Sequence, residues 1–244
     1  MKQLGGIAVL VLALSVLLQA CVSTGGRSQN PEQAADIYAD LGAEYLQKGN
    51  LELALIKLKR SLEINSEHKA ATHYIAETYK QMGNIELADE YYLEAVALDP
   101  ENPNLLNNYG AFLCGQGRIE ESEDYIIRAA NTSGYRSPEL AYENLGLCAL
   151  GTNDNAKAES YFRQALKINP SLPRSLYQIA LIRFEAEDYL RARAFIERLH
   201  VIGYTRPSLQ LAIKIEQAQG DSEAVGRYMG LLKEKYPDAD LGNL

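Results

Sequence analysis

The sequence predicts an all-α protein, a right-handed superhelix of about six helix pairs, on three observations. The chain repeats itself at a spacing of 34 residues, which is the mark of stacked supersecondary units. Its composition is rich in Ala, Leu, Glu, Lys and Tyr and lacks the Val, Ile and Thr alternation of strands. Gly-Asn pairs and prolines punctuate it where helices must stop. With 47% apolar residues the chain has ample material for a core. Sixteen Tyr against four Phe, and no Trp, suit surfaces dry on one side of the ring and wet on the other.

The first element is residues 1–20. Lys2 is the sole basic residue before a mostly apolar run from Ile7 to Ala20. Such a run falls short of the ~20 residues a membrane-crossing helix needs, but it suits the core of a signal peptide. The run ends in Leu17-Leu18-Gln19-Ala20-Cys21, which matches a bacterial lipobox: cleavage before a cysteine carrying diacylglycerol. Gln19 departs from the usual small or aliphatic residue there. The competing reading leaves Cys21 unmodified, behind an ordinary secretory signal or an N-terminal anchor. With lipidation, the acyl chains on Cys21 hold the protein to a membrane at ~0.8 kcal/mol per buried methylene. Val22 stands where an inner-membrane retention signal has Asp, so the expected address is the outer membrane, lipid-anchored and facing the periplasm. Residues 21–33, Gly- and Ser-rich, read as a flexible tether.

The repeats occupy residues 34–240, in units of about 35–68, 69–102, 103–136, 139–172, 173–206 and 205–238. Small residues recur at Gly42, Ala76, Gly110, Gly146 and Ala180, and again at Ala54, Ala88, Ser122, Ala158 and Ala192. They let the two helices of a pair approach closely. Tyr45, Tyr79, Leu58, Tyr92 and Phe162 fill the space between. Gly49-Asn50 and Gly83-Asn84 fall where first helices end, since both residue types tolerate a left-handed cap. Pro100, Pro170 and Pro237 mark the ends of second helices. The sixth unit is degenerate, holding Ala212, Gly220, Ala224, Tyr228, Leu231 and Pro237. Each unit has an apolar face it cannot bury alone, so neighbours stack and leave a concave groove.

These positions resemble the tetratricopeptide repeat, with its period of 34 and its L-G, Y, A, F and P landmarks. The resemblance implies that the second, fifth, ninth and twelfth positions of each first helix face the groove. Those are Asp36, Ala39, Ala43 and Leu46 in the first unit, and Ala70, His73, Glu77 and Lys80 in the second. The third offers Asn104, Asn107 and Ala111, with Asn108 beside them, and the fifth Tyr177, Leu181 and Phe184. His73, Glu77, Lys80, Asn104, Asn107 and Asn108 are the candidate partner-binding residues. The asparagines are poor helix formers placed inside a helix. The alternative is that Asn104 helps cap the helix and Asn107 is merely solvated. A clamp for a peptide carboxylate needs Lys, Asn and Arg spread over two or three first helices; Lys80 and Asn108 are fragments of one, and no clamp is assigned.

Cys114 and Cys148 lie 34 residues apart, late in the first helices of adjacent units. Such helices pack side by side, and an oxidising periplasm favours pairing the two cysteines left after lipidation. The other reading makes both small buried packers. A net charge of −8, or −9 once Lys2 is removed, argues against a nucleic-acid partner. His68, His73 and His200 stand at no metal-ligand spacing, and no nucleophile elbow or phosphate loop occurs. Acidic runs such as Glu120-Glu121-Ser122-Glu123-Asp124 follow solvated helix faces. The expectation is a binding protein: no enzyme, metal, cofactor or small-molecule substrate.

Asn107-Asn108-Tyr109-Gly110-Ala111-Phe112-Leu113, Tyr142-Glu143-Asn144-Leu145-Gly146-Leu147 and the opening Tyr38-x-x-Leu41-Gly42-x-x-Tyr45-Leu46-x-x-Gly49-Asn50 resemble the type IV pilus biogenesis lipoprotein family. That resemblance covers essentially the whole chain. It implies a pilotin, an outer-membrane lipoprotein whose partner is the type IV pilus secretin, which it helps to localise, assemble and stay stable. A second reading is a tetratricopeptide lipoprotein adaptor for peptidoglycan hydrolases or for outer-membrane protein assembly.

Overall fold

Residues 30–239 are the part of the chain described by this computed structural model, and they form twelve α-helices and no strand. The all-α expectation of about six pairs holds. Residues 1–29, with the signal segment and Cys21, lie outside the described residues. The pairs are α1 (Pro31–Gln47) with α2 (Leu51–Ile64), α3 (Lys69–Gln81) with α4 (Ile85–Leu98), and α5 (Pro103–Gly115) with α6 (Ile119–Asn131). They continue as α7 (Pro138–Gly151) with α8 (Asn155–Ile168), α9 (Pro173–Glu185) with α10 (Tyr189–Ile202), and α11 (Arg206–Gln219) with α12 (Ser222–Lys235). The chain divides into two compact units, the first ending at Tyr91 and the second starting at Tyr92.

Local chemistry sets each boundary. Side chains of Asn30, Asn50, Asn102, Asp154, Asp188 and Asp221 accept backbone N–H bonds at helix starts, satisfying donors that lack an intrahelical partner. Proline opens α1, α5, α7 and α9, where its fixed φ suits a first turn. His68 caps α3: its Nδ1 accepts the Ala71 N–H at 3.1 Å while Nε2 faces Asp36 Oδ1 at 3.0 Å. Those two contacts select the tautomer protonated on Nε2. Gly49 and Gly83 both take φ of +75°, as their place after a first helix predicts. Asn50 N–H then reaches back to the Tyr45 carbonyl at 2.9 Å, closing the helix end. In the fourth and fifth pairs the same left-handed turn is taken by Asn153 and Glu187, with no glycine to announce it.

In the first unit, Gly42 of α1 lies so close to Leu58 of α2 that an added Cβ would come within 2.4 Å of Leu58 Cγ. Ser61 Oγ donates to the Ala35 carbonyl at 2.8 Å across the same pair. Ala54, Leu58, Ala71, Ile75 and Ala76 are fully buried. In the second unit Gly110 meets Ile126 and the Ser122 carbonyl, and Gly146 meets the ring of Phe162. One continuous core there joins Phe162, Leu176, Ile179, Ile196 and Ile215 across the fourth to sixth pairs. Tyr92, Tyr109 and Phe112 stack in a separate aromatic cluster, with ring centroids 5.1–6.2 Å apart.

The expectation that acidic residues follow solvated faces is corrected at three places. Glu143, Glu159 and Glu216 are buried at 6%, 6% and 3% exposure. Each sits at a joint between consecutive helix pairs and has a partner on a helix of the neighbouring pair. Glu143 accepts from Ser175 Oγ at 2.7 Å, Glu159 is held by Arg163 and Arg183, and Glu216 by Arg193. A buried carboxylate persists only when paired in this way.

Candidate functional site

In the first unit, His73, Glu77 and Lys80 occupy successive turns of α3 and form one polar row. Lys80 Nζ lies 2.5 Å from Glu77 Oε2, and His73 Nε2 lies 3.9 Å from Glu77 Oε1. The row largely neutralises its own charge, and His73 is itself buried. Beside it, Asp40, Ala43, Glu44, Leu46, Gln47 and Tyr74 line a depression of about 520 Å³ between α1 and α3. Ala43 and Leu46 are two of the residues expected to face a groove. Ala39, also expected there, is only 2% exposed and packs inside.

In the second unit the asparagines separate. Asn104 is exposed, and its backbone N–H donates to Asn102 Oδ1 at 3.1 Å, so Asn102 is the cap of α5 and Asn104 only a recipient. Asn107 is not solvated: it is 8% exposed, and its Oδ1 accepts from Asn144 Nδ2 of α7 at 3.0 Å. Asn108, next to it, is partly exposed. The fifth position of a first helix is therefore a seam between neighbouring first helices, as the burial of Ala39, His73, Asn107 and Glu143 shows. Asn144 was missed from sequence, although it holds the register position of Asn108 one pair on. Leu147, Leu150, Tyr177, Leu181 and Phe184 on α7 and α9 are partly buried and give the first helices an apolar strip.

Around α6, α7 and α8, Lys157 Nζ donates to Glu123 at 2.8 Å and the Tyr161 hydroxyl donates to the same carboxylate. Burial alone would push the Glu123 carboxyl up, but these hydrogen bonds and the lysine charge hold it below the ordinary carboxylate range. The same burial and the Glu123 charge drive the Tyr161 hydroxyl far up, so it stays protonated. The adjoining cavity of about 60 Å³, lined also by Leu145 and Cys148, has room for water-sized molecules only. Cys148 lies beside Cys114 of α5, their Cα atoms 5.7 Å apart and their sulfurs joined. Among the described residues, no group of three or more His, Cys, Asp and Glu is placed to hold a metal ion.

Tetratricopeptide repeat models match residues 35–68, 74–102, 101–171 and 143–200. The type IV pilus assembly protein PilF of Pseudomonas aeruginosa is 34% identical over 238 residues, covering 94% of both chains. The chain belongs to the PilF family. The solved structure of P. aeruginosa PilF superposes with a TM-score of 0.76 at 32% identity, covering 86% of this chain and 95% of that one. The structure of PilW, a widely conserved type IV pilus biogenesis factor, gives 0.74 at 26% identity, covering 85% and 96%. The PilF family thus shares with this chain the tetratricopeptide superhelix of about six helix pairs.

Proposed function

We propose that this protein acts in type IV pilus biogenesis as an outer-membrane lipoprotein, anchored through Cys21, that binds the pilus secretin. It helps the secretin to reach the outer membrane, assemble into its ring and remain stable. The observation that carries this reading is the kinship with PilF along 94% of both chains. The first helices carry a polar row on α3 in the first compact unit and an apolar strip on α7 and α9 in the second, each suited to recognising another polypeptide. His73, Glu77 and Lys80 in the first compact unit, and Asn104, Asn107 and Asn108 in the second, are the proposed partner-binding residues, and the Cys114–Cys148 bridge braces the third and fourth pairs.

The test is a clean deletion of the gene. The expected result is loss of surface pili and of the secretin multimer on gels of unheated envelope, restored by the wild-type chain and restored poorly by Cys21→Ser. Normal secretin multimers in the deletion strain would overturn the proposal. Pull-down from detergent-solubilised envelope separates it from the adaptor reading: the secretin, and not peptidoglycan hydrolases or barrel-assembly subunits, should come down.

A further inference from the structure

The chain as a whole is acidic, with 24 Lys and Arg against 32 Asp and Glu, but residues 157–239 hold thirteen Lys and Arg against ten Asp and Glu. Part of that excess gathers in the second compact unit, around the end of α10. There Val201 is 88% exposed and Ile202 45%, and Arg198 stands three and four residues before them on the same face. Arg198 Nη2 donates to the Pro170 carbonyl at 3.3 Å, which ties this end of α10 to the end of α8, where Lys167 and Ile168 are exposed. On the other side, Lys235 Nζ lies 5.5 Å from the centre of the Tyr204 ring, and the Tyr236 hydroxyl donates to the Tyr204 carbonyl at 3.3 Å. Ile168, Val201, Ile202 and Tyr204 therefore share one apolar edge with Lys167, Arg198 and Lys235 along it. None of these three cations has a carboxylate partner among the described residues. The carboxylates near them in the chain are answered: Arg206 holds Asp238 at 2.7 Å, and Glu197 and Glu234 each adjoin a cation.

We infer that this edge is a membrane contact of its own, docking on lipid with anionic headgroups. At 88% exposure Val201 projects from the end of its helix, and burying such a tip takes a surface that closes around it, as acyl chains do. Interfacial segments work this way: aliphatic residues enter the boundary between headgroups and acyl chains while Lys and Arg stay among the phosphates. Tyr204 has the amphipathic ring that settles at that depth. Leu190, at the other end of α10 and ~16 Å away, marks the contrast. It is 74% exposed, but Glu185, Glu187 and Asp188 stand just before it, and anionic headgroups repel them. Contact through the Val201 end fixes which ends of α8 and α10 face the lipid, which a flexible tether cannot do.

The experiment uses the chain from Cys21 onward, coupled through the Cys21 thiol to a maleimide lipid in vesicles, so that the edge meets the surface at the high effective concentration of a linked site. Cys21 is the thiol left to react, because Cys114 and Cys148 are joined. The protein has no Trp, so Val201→Trp and Leu190→Trp report the two ends of α10 separately. In vesicles of phosphatidylethanolamine and phosphatidylglycerol, the Val201→Trp emission should shift to the blue and be quenched by lipid brominated on its acyl chains. The Leu190→Trp emission should do neither. Replacing phosphatidylglycerol with phosphatidylcholine should abolish the quenching. In the Val201→Trp background, Lys167→Gln and Lys235→Gln should each lower the docking equilibrium about fivefold, the equivalent of ~1 kcal/mol for one cation at an anionic surface. All four positions are exposed, so the variants should melt as the wild type does. No quenching at 201, equal quenching at 190, or indifference to phosphatidylglycerol or to the lysines would overturn the contact. Preference of the edge for soluble poly-glutamate over the vesicles would overturn it too, in favour of an acidic polypeptide. The pilotin proposal stands or falls separately, on secretin capture and on secretin multimers in the deletion strain.

Discussion

Gly146→Ala should destabilise the protein, although the same change in an open helix stabilises it. The ideal Cβ at 146 would lie 2.6, 2.7 and 2.8 Å from three ring carbons of Phe162. Ordinary carbon contacts are ~3.5–4.0 Å, so the overlap is about 1 Å. Phe162 is fully buried, so its ring has nowhere to turn and α7 and α8 must part. Overpacking of this kind costs ~1–3 kcal/mol, while alanine returns ~1 kcal/mol of helix propensity. The control is Gly226→Ala in α12, where a Cβ meets nothing within 4 Å and only the propensity gain of ~1 kcal/mol remains. Urea unfolding followed by far-UV circular dichroism gives both values from the midpoint at constant slope. Phe162→Leu removes two of the three offending ring atoms, so it should cost less in the Gly146→Ala background than in the wild-type one, a coupling of at least ~0.5 kcal/mol. The matching rescue at Gly110 should fail, because there the Ser122 carbonyl oxygen, 2.9 Å from the Cβ site, does not leave with a side chain. If Gly146→Ala were as stabilising as Gly226→Ala, or if Phe162→Leu were additive in both backgrounds, close pair contact at this position would be disproved.

Alkylation and mass measurement of unreduced, unfolded protein should show Cys114 and Cys148 blocked, and reduction should lower stability by about 4 kcal/mol for a closed loop of this length; two free thiols there would refute the bridge. Arg193→Ala should cost ~3 kcal/mol in unfolding free energy by leaving Glu216 buried and alone, and Arg193→Leu/Glu216→Leu should recover most of it. Burial pushes His200 down to about 4 in the folded chain, so the unfolded chain takes up its proton first as pH falls. Its stabilising contribution is complete above pH ~6.5 and is lost toward pH 4; His200→Gln should show a flatter fall of melting temperature over that window.

The pairing of helices was legible because it depends on volume at a few repeating places. Gly42, Gly110 and Gly146 declare a close approach in their residue type, and the structure finds no room for a Cβ at any of them. Gly49 and Gly83 likewise declare a left-handed turn. Asn153 makes the same turn with a residue type that tolerates it, but Glu187 makes it with one that does not, so only the repeat period could have located that one. Prolines are legible in both senses: Pro100, Pro170 and Pro237 read as stops, but Pro103 and Pro173 act as starts that the sequence reading passes over. The physical difference is one of place: a proline in a first turn gives up an N–H that would be unpaired anyway.

Polar residues were harder to read, because a carboxylate or amide carries no sign of what it faces. Glu143, Glu159 and Glu216 look like surface residues in sequence, and each is buried only because an Arg or Ser on another helix stands opposite. The candidate site shows the same division. Composition found the asparagines of α5, but a single helix cannot tell a seam from an open face. Asn107 resolves to the seam through Asn144, a partner 37 residues away. Asn108, one residue on, stays partly exposed while Gly110 is buried, a difference that the repeat register anticipates.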